Sequence, residues 1–156
     1  MKKQEFDYYI FIDYSESFIG YLIINKDKLT ELIPRISKFN HYNKLKCKSA
    51  YVHSIKKVID KNNIFLYIQK RKIMLTRDTP EIYSDILEFL KKHDNCIIFI
   101  SIDNKQYSNF ERLVKFIDGR NIKVIKESDL KKGSLEYKIS LVLDTLLNIE
   151  RLKHEI

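Results

Sequence analysis

The stretch that decides the fold is Phe6-Asp7-Tyr8-Tyr9-Ile10-Phe11-Ile12-Asp13, followed by Tyr14-Ser15-Glu16-Ser17 and then Phe18-Ile19-Gly20-Tyr21-Leu22-Ile23-Ile24. Aromatic and β-branched residues dominate both apolar runs, so each reads as a mostly buried strand. The polar turn between them is short, which makes the two strands antiparallel neighbours. The first strand ends on a carboxylate, Asp13.

Downstream, Asn25 and Asp27 offer helix caps, and Leu29, Leu32, Ile33 and Ile36 recur at helical spacing until Pro34 interrupts them. Residues 40–48 read as a basic loop or short edge strand. Ala50, Val52, Ile55, Val58 and Ile59 predict a second helix. Ile64–Ile68 reads as a strand, which Ile73-Met74-Leu75 continues or pairs with as a hairpin. Thr79-Pro80-Glu81 is a helix start, with a cap, a proline at the first helical position and an acid in the first turn. Cys96–Ile102 is a near-continuous apolar run of the kind covered on both faces of a sheet, and it ends at Asp103. A helix through Phe110, Leu113, Val114 and Ile117 stops at Gly119, Ile122–Ile125 is a short strand, and a long amphipathic helix follows Gly133-Ser134. The last three strands are joined by helical crossovers, which makes them parallel. The fold class is therefore α/β: a mixed sheet of about five strands, an N-terminal antiparallel hairpin followed by parallel strands. Residues 1–156 read as one domain, with residues 26–61 as a helical insertion.

The bulk properties narrow the function. The chain has 156 residues, 44% hydrophobic, enough for a core and too apolar for disorder. Lys+Arg 29 against Asp+Glu 21 gives +8, which favours an anionic partner. No apolar run approaches the roughly 18 residues of a spanning helix, so no membrane partner and a cytoplasmic protein are expected. With Gly20, Gly119 and Gly133 as the whole glycine complement, there is no P-loop and no dinucleotide fingerprint. Cys47 and Cys96 carry no metal or disulfide spacing and read as buried small apolar residues. Abundant isoleucine and lysine fit a thermophile-like, archaeal source, although an AT-rich genome produces the same bias.

In an open α/β sheet, sites form beyond the carboxyl ends of the parallel strands. Asp13, Asp78 with Glu81, Asp103, and Asp129 with Glu136 all fall at such ends. Carboxylates held together repel one another and are stable around a divalent cation, with hard oxygen ligands favouring Mg²⁺ or Mn²⁺. Two such ions serve phosphodiester cleavage, and a basic surface holds the nucleic-acid backbone. Lys105, Lys131 and Lys132 flank this rim. Lys70-Arg71-Lys72 forms a further cluster, and Tyr42 and Tyr107 are candidates for base stacking. Each acid also has a plainer reading, as a turn former, a cap or a helix-dipole partner. Asp144 lies opposite the Leu135, Ile139, Val142, Leu146 stripe and reads as solvent-facing, so it is left out of the site.

Phe11-Ile12-Asp13-Tyr14-Ser15-Glu16 at the end of a first strand leading into a hairpin resembles the opening of ribonuclease-H-like proteins. The resemblance implies an Asp ending the first strand, an acid ending the fourth and another early on the last helix. Asp13, Asp103 and Glu136 stand at those places as metal ligands and catalytic acids, with Asp78 or Glu81 as a fourth. It further implies a Mg²⁺- or Mn²⁺-dependent nuclease with a metal-bound water as nucleophile. The helices between the second and third strands depart from the family's consecutive three-strand meander. The rival expectations are a non-catalytic binding or assembly module of the same fold and a small flavodoxin-like domain.

Overall fold

The computed structural model describes residues 6–15, 17–101, 104–115 and 122–154, the side chains of 104–106 excepted. Five strands form one sheet: β1 Tyr8–Ser15, β2 Phe18–Asn25, β3 Lys70–Leu75, β4 Cys96–Ile100 and β5 Ile122–Lys126. Their order is β3-β2-β1-β4-β5. β1 pairs antiparallel with β2, and β2 with β3, while β1–β4 and β4–β5 are parallel. This is the mixed α/β sheet expected, an antiparallel hairpin joined to parallel strands. The three-strand meander is intact in space although residues 26–69 separate β2 from β3 in sequence.

Those intervening residues form α1 Lys26–Leu32, capped by Asn25 Oδ1 accepting from the Asp27 N–H at 2.9 Å, and α2 Lys48–Lys61. Pro34 follows α1 in a single 3₁₀ turn, where its missing N–H costs no helical hydrogen bond. The expected strand at Ile64–Ile68 is instead a 3₁₀ turn over Ile64–Tyr67, entered through Asn63 in the left-handed region at φ 50°. Ile64 is buried there while Leu66 is 74% exposed, so the apolar run has no alternating face to pair. The third strand lies entirely in the basic segment Lys70–Leu75, at the edge of the sheet.

α3 Thr79–Lys92, α4 Asn104–Lys115 and α5 Leu135–Lys153 complete the chain. Two apolar clusters cover the two sheet faces. One gathers Phe11, Leu22 and Phe99 with α1, α2 and α5, and the other gathers Ile10, Ile12, Tyr21 and Ile98 with α3 and α4. α5 is buried along Ile139–Ile149 on every side, because the sheet packs below it and the segment containing Ile36, Phe39 and Tyr42 packs above. Tyr42 is thus a core residue, 6% exposed, and not a free stacking platform. Of the cysteines, Cys96 is buried as expected and Cys47, just before α2, is exposed. No helix among the described residues is long and apolar enough to cross a membrane.

Candidate functional site

Side chains alternate between sheet faces along a strand, so register decides which residues meet. Ile12 is level with Ile100, and Ile100 with Lys126. The next residues, Asp13, Ser101 and Glu127, therefore continue three adjacent strands as one row. All three have the parity of Phe11, Phe99 and Ile125, the residues that pack beneath α5. α5 lies over that row and supplies Ser140, Asp144, Asn148 and Arg151, spaced to line one helix face. Above them the segment after α1 brings His41 and Asn43. Asp13, Tyr14, Ser15, His41, Asn43, Ser101, Glu127, Asp144, Asn148 and Arg151 together line a pocket of about 330 Å³.

The close fit of α5 on the sheet depends on Gly20, the neighbour of Asp13 across the hairpin. A Cβ there would stand 2.9 Å from Ile73 Cγ1, 2.9 Å from the Lys72 carbonyl oxygen and 3.3 Å from Leu147 Cδ2 of α5.

Three carboxylates share this pocket. Asp13 is 7% exposed and accepts a 2.8 Å hydrogen bond from the Tyr14 N–H. Burial, then the charges of Glu127 and Asp144, push its carboxyl well above the ordinary aspartate range, against the pull of Tyr14 N–H and the Ser101 hydroxyl. Burial also raises Glu127, which Asp144 repels and which the Ser101 and Ser140 hydroxyls and His41 partly offset. Asp144, 8% exposed, is raised by burial; the Tyr42 N–H at 2.9 Å and His41 counter this. The buried Nδ1 of His41 has no hydrogen-bond partner among the described residues.

The expectation for Asp144 is overturned. It does not face solvent, because the 36–45 segment covers the side of α5 that a single apolar stripe would leave exposed. A signal for it was present: Ser140, Asp144, Asn148 and Arg151 fall at i, i+4, i+8 and i+11 in a helix apolar on its remaining faces. Glu127 and His41 carried no comparable signal, since their roles depend on strand register and on a long-range return of the chain.

Of the other expected site residues, Asp103 lies outside the described residues. Glu136 sits in the first turn of α5, half-exposed, and does not line the pocket. It precedes Asp144 by two helical turns, about 12 Å along the axis. Asp78 follows β3 at the sheet edge, 3.9 Å from Arg77 Nε, and is also absent from the lining. Two strand spacings, about 10 Å, separate β3 from β1.

The basic candidates do not form one surface. Arg71 lies 3.8 Å from the Phe65 ring centroid, whereas Lys72 reaches the opposite sheet face and pairs with Asp85 at 2.7 Å. Lys70 is exposed on the edge strand, and Lys131 and Lys132 are exposed in the turn between Glu127 and α5. Lys105 is in the first turn of α4, its side chain outside the described set.

The donor chemistry suits a hard divalent cation: three carboxylates, serine hydroxyls and an amide, with negative charge gathered in a poorly hydrated place. Among the described residues, no three His, Cys, Asp or Glu side chains are drawn together as a formed metal site. The arrangement supplies the ligand types without a closed coordination shell.

No family model and no curated protein matches the chain. Among solved structures, the chain is similar to one described as the PCNA:RNase HII complex from Archaeoglobus fulgidus, at 12% identity and TM-score 0.47, over 96% of this chain and 74% of that one. At this level of likeness, no activity, metal or partner passes from that protein to this one.

Proposed function

We propose that the pocket is the active site of a divalent-metal-dependent nuclease, with Asp13, Glu127 and Asp144 as the acids that hold Mg²⁺ or Mn²⁺. Asp103, two residues beyond Ser101, is a further ligand candidate. The single observation behind this reading is the convergence of carboxylates from β1, the residue after β5, and α5, each made costly by burial, with Asp13 raised further by Glu127 and Asp144 and Glu127 by Asp144. A bound cation would supply charge neutralisation and an activated water for phosphodiester hydrolysis. The chain's own part is to hold the acids in register and to shield them under the 36–45 segment. Ser101 and Ser140 keep Glu127 oriented. Lys105, Lys131, Lys132, Lys70, Arg71 and Lys72 remain the proposed contacts for the nucleic-acid backbone, with Lys72 the weakest because it is committed to Asp85.

The test is incubation of the protein with labelled single-stranded, duplex and hybrid substrates and Mn²⁺, beside Asp13→Asn and Asp144→Asn. Cleavage lost in both variants is expected; cleavage equal in all three proteins refutes the assignment. The rival reading, a non-catalytic binding or assembly module, draws on the acids' not forming a closed ligand set among the described residues. Millimolar Mn²⁺ separates the two, because a ligand held only by the folded state raises Tm.

A further inference from the structure

A second cavity, of about 600 Å³, lies on the face of α5 opposite the acids. Its floor is hydrocarbon: Leu22 of β2, Ile73 of β3, Ile59 of α2, and Leu146 and Ile149 of α5. Its rim is charged, with Lys56 and Asp60 from α2, Arg71 from β3, and Glu150 and Lys153 from α5. The rim charges do not cancel. Glu150 is taken by Lys153 at 3.6 Å and by His154 at 3.3 Å. The Arg71 guanidinium carbon sits over the Phe65 ring, and among the described residues no carboxylate pairs with it or with Lys56. One acid, Asp60, stands against these two cations. Phe65 is 39% exposed beside them, so apolar surface continues outward from the floor.

The floor also includes an open strand edge, because β3 is the last strand of the sheet. Thr76 N–H donates to the Ser17 carbonyl oxygen at 2.8 Å, and the Lys72 carbonyl oxygen is turned toward Gly20 of β2. Hydrogen bonding alternates along an antiparallel strand. Lys72, Met74 and Thr76 therefore bond β2, while Arg71 and Ile73 direct their N–H and C=O away from it. Among the described residues, no backbone group from outside the sheet meets those edges. The side chains of the same two residues line the cavity. A strand laid beside β3 thus finds backbone partners at Arg71 and Ile73, and its side chains opposite them stand on the cavity side.

Lysines on an edge strand ordinarily repel other strands. Here Lys72 reaches the opposite sheet face and is held by Asp85, while the cavity side presents the half-buried, apolar Ile73. The hydrocarbon floor calls for apolar side chains, since a nucleobase there would lose water from its polar edge and gain no partner. The two unpaired cations call for carboxylates. A second copy of this chain pairing edge to edge would set one Lys70-Arg71-Lys72 run against another, and like charges oppose that.

We propose that β3 docks an extended segment of a partner protein as a sixth strand, with an apolar side chain opposite Ile73 and a carboxylate two positions along, opposite Arg71. This surface is independent of the acid pocket, across α5, and stands or falls apart from it. A nucleic-acid phosphate could compete for the same guanidinium, and the experiment separates the two.

The experiment is selection of random nine-residue displayed peptides on the immobilised full chain, followed by fluorescence anisotropy of the most enriched sequence as a labelled synthetic peptide with blocked ends. The enriched peptides are expected to share an apolar residue and an acid two positions apart. Arg71→Glu and Lys56→Glu are each expected to weaken binding about tenfold. A readout that needs no protein variant comes from methylating alternate backbone nitrogens of the peptide. Only every second N–H of an added strand bonds its neighbour, so one phase of methylation is expected to abolish binding and the other to leave it nearly unchanged. Enriched peptides without that spacing, affinity unchanged in both charge variants, or full affinity in both methylated peptides overturns the proposal. Displacement of the peptide by an equimolar single-stranded oligonucleotide, or dimerisation of the chain that Arg71→Glu abolishes, gives the edge to another occupant and overturns it as well.

Discussion

Replacing Asp13 with Asn is expected to stabilise the metal-free protein. Asp13 is buried at 7% exposure and its negative charge faces those of Glu127 and Asp144. Two unit charges about 6 Å apart in an effective dielectric of about 20 repel by about 3 kcal/mol. Asn keeps the volume and an oxygen to accept the Tyr14 N–H, so the packing term nearly cancels. The expected gain is about 1–3 kcal/mol, or about 3–9 °C in Tm for a chain of this size. Since the folded-state pKa of Asp13 is raised, its stability contribution is complete below the unfolded pKa and is lost as pH rises through the folded one. The advantage of Asp13→Asn is therefore largest near neutral pH and shrinks on acidification, which thermal melts in EDTA at about pH 7.5 and about pH 5 would read. With Mn²⁺ present the variant's advantage shrinks: the wild type gains about 2.7 kcal/mol at a hundred times Kd, and the variant gains less. A variant that melts below the wild type in EDTA at neutral pH refutes the idea that these acids strain one another.

Three further outcomes are expected. Gly20→Ala should cost about 1–3 kcal/mol by chemical denaturation, because its Cβ meets the Lys72 carbonyl oxygen at 2.9 Å and backbone cannot step aside; the variant should also bind Mn²⁺ more weakly as α5 lifts. Ser134→Ala removes the cap that accepts from the Tyr137 N–H at 3.2 Å and should lower stability by about 1 kcal/mol in the same measurement. Tyr21→Phe removes a 2.9 Å hydrogen bond to Asp85 and should cost about 1–2 kcal/mol near neutral pH. Asp85 has a lowered pKa, with the Lys72 and Tyr21 hydrogen bonds lowering it against burial, so this loss fades as pH falls through that value.

The strands with strong apolar runs were legible because burial on both faces leaves no other use for them: Ile10–Ile12, Leu22–Ile24 and Cys96–Ile100 are all buried. The edge was illegible for the converse reason. Lys70-Arg71-Lys72 carries the charges that protect an open strand from pairing with another chain, and these hide it from a hydrophobicity reading. Asp13 was legible as a strand-end acid. Asp144 was misread because a helical wheel assumes one covered face, while the turn around Tyr42 covers the other, about a hundred residues earlier in the chain. Glu136 is near the start of the same helix and half-exposed, whereas Asp144, two turns on, is buried.

The floor of the pocket is made from regular strands, and that has a cost in evolutionary freedom. Asp13, Ser101 and Glu127 reach the same side only because β1, β4 and β5 are level with one another. Adding or deleting one residue inside any of these strands would turn its polar group through the sheet, into the layer packed with Ile82, Ile86 and Phe110. Natural variation in length should therefore collect in the connections, notably residues 128–134, while the three strands keep a constant residue count.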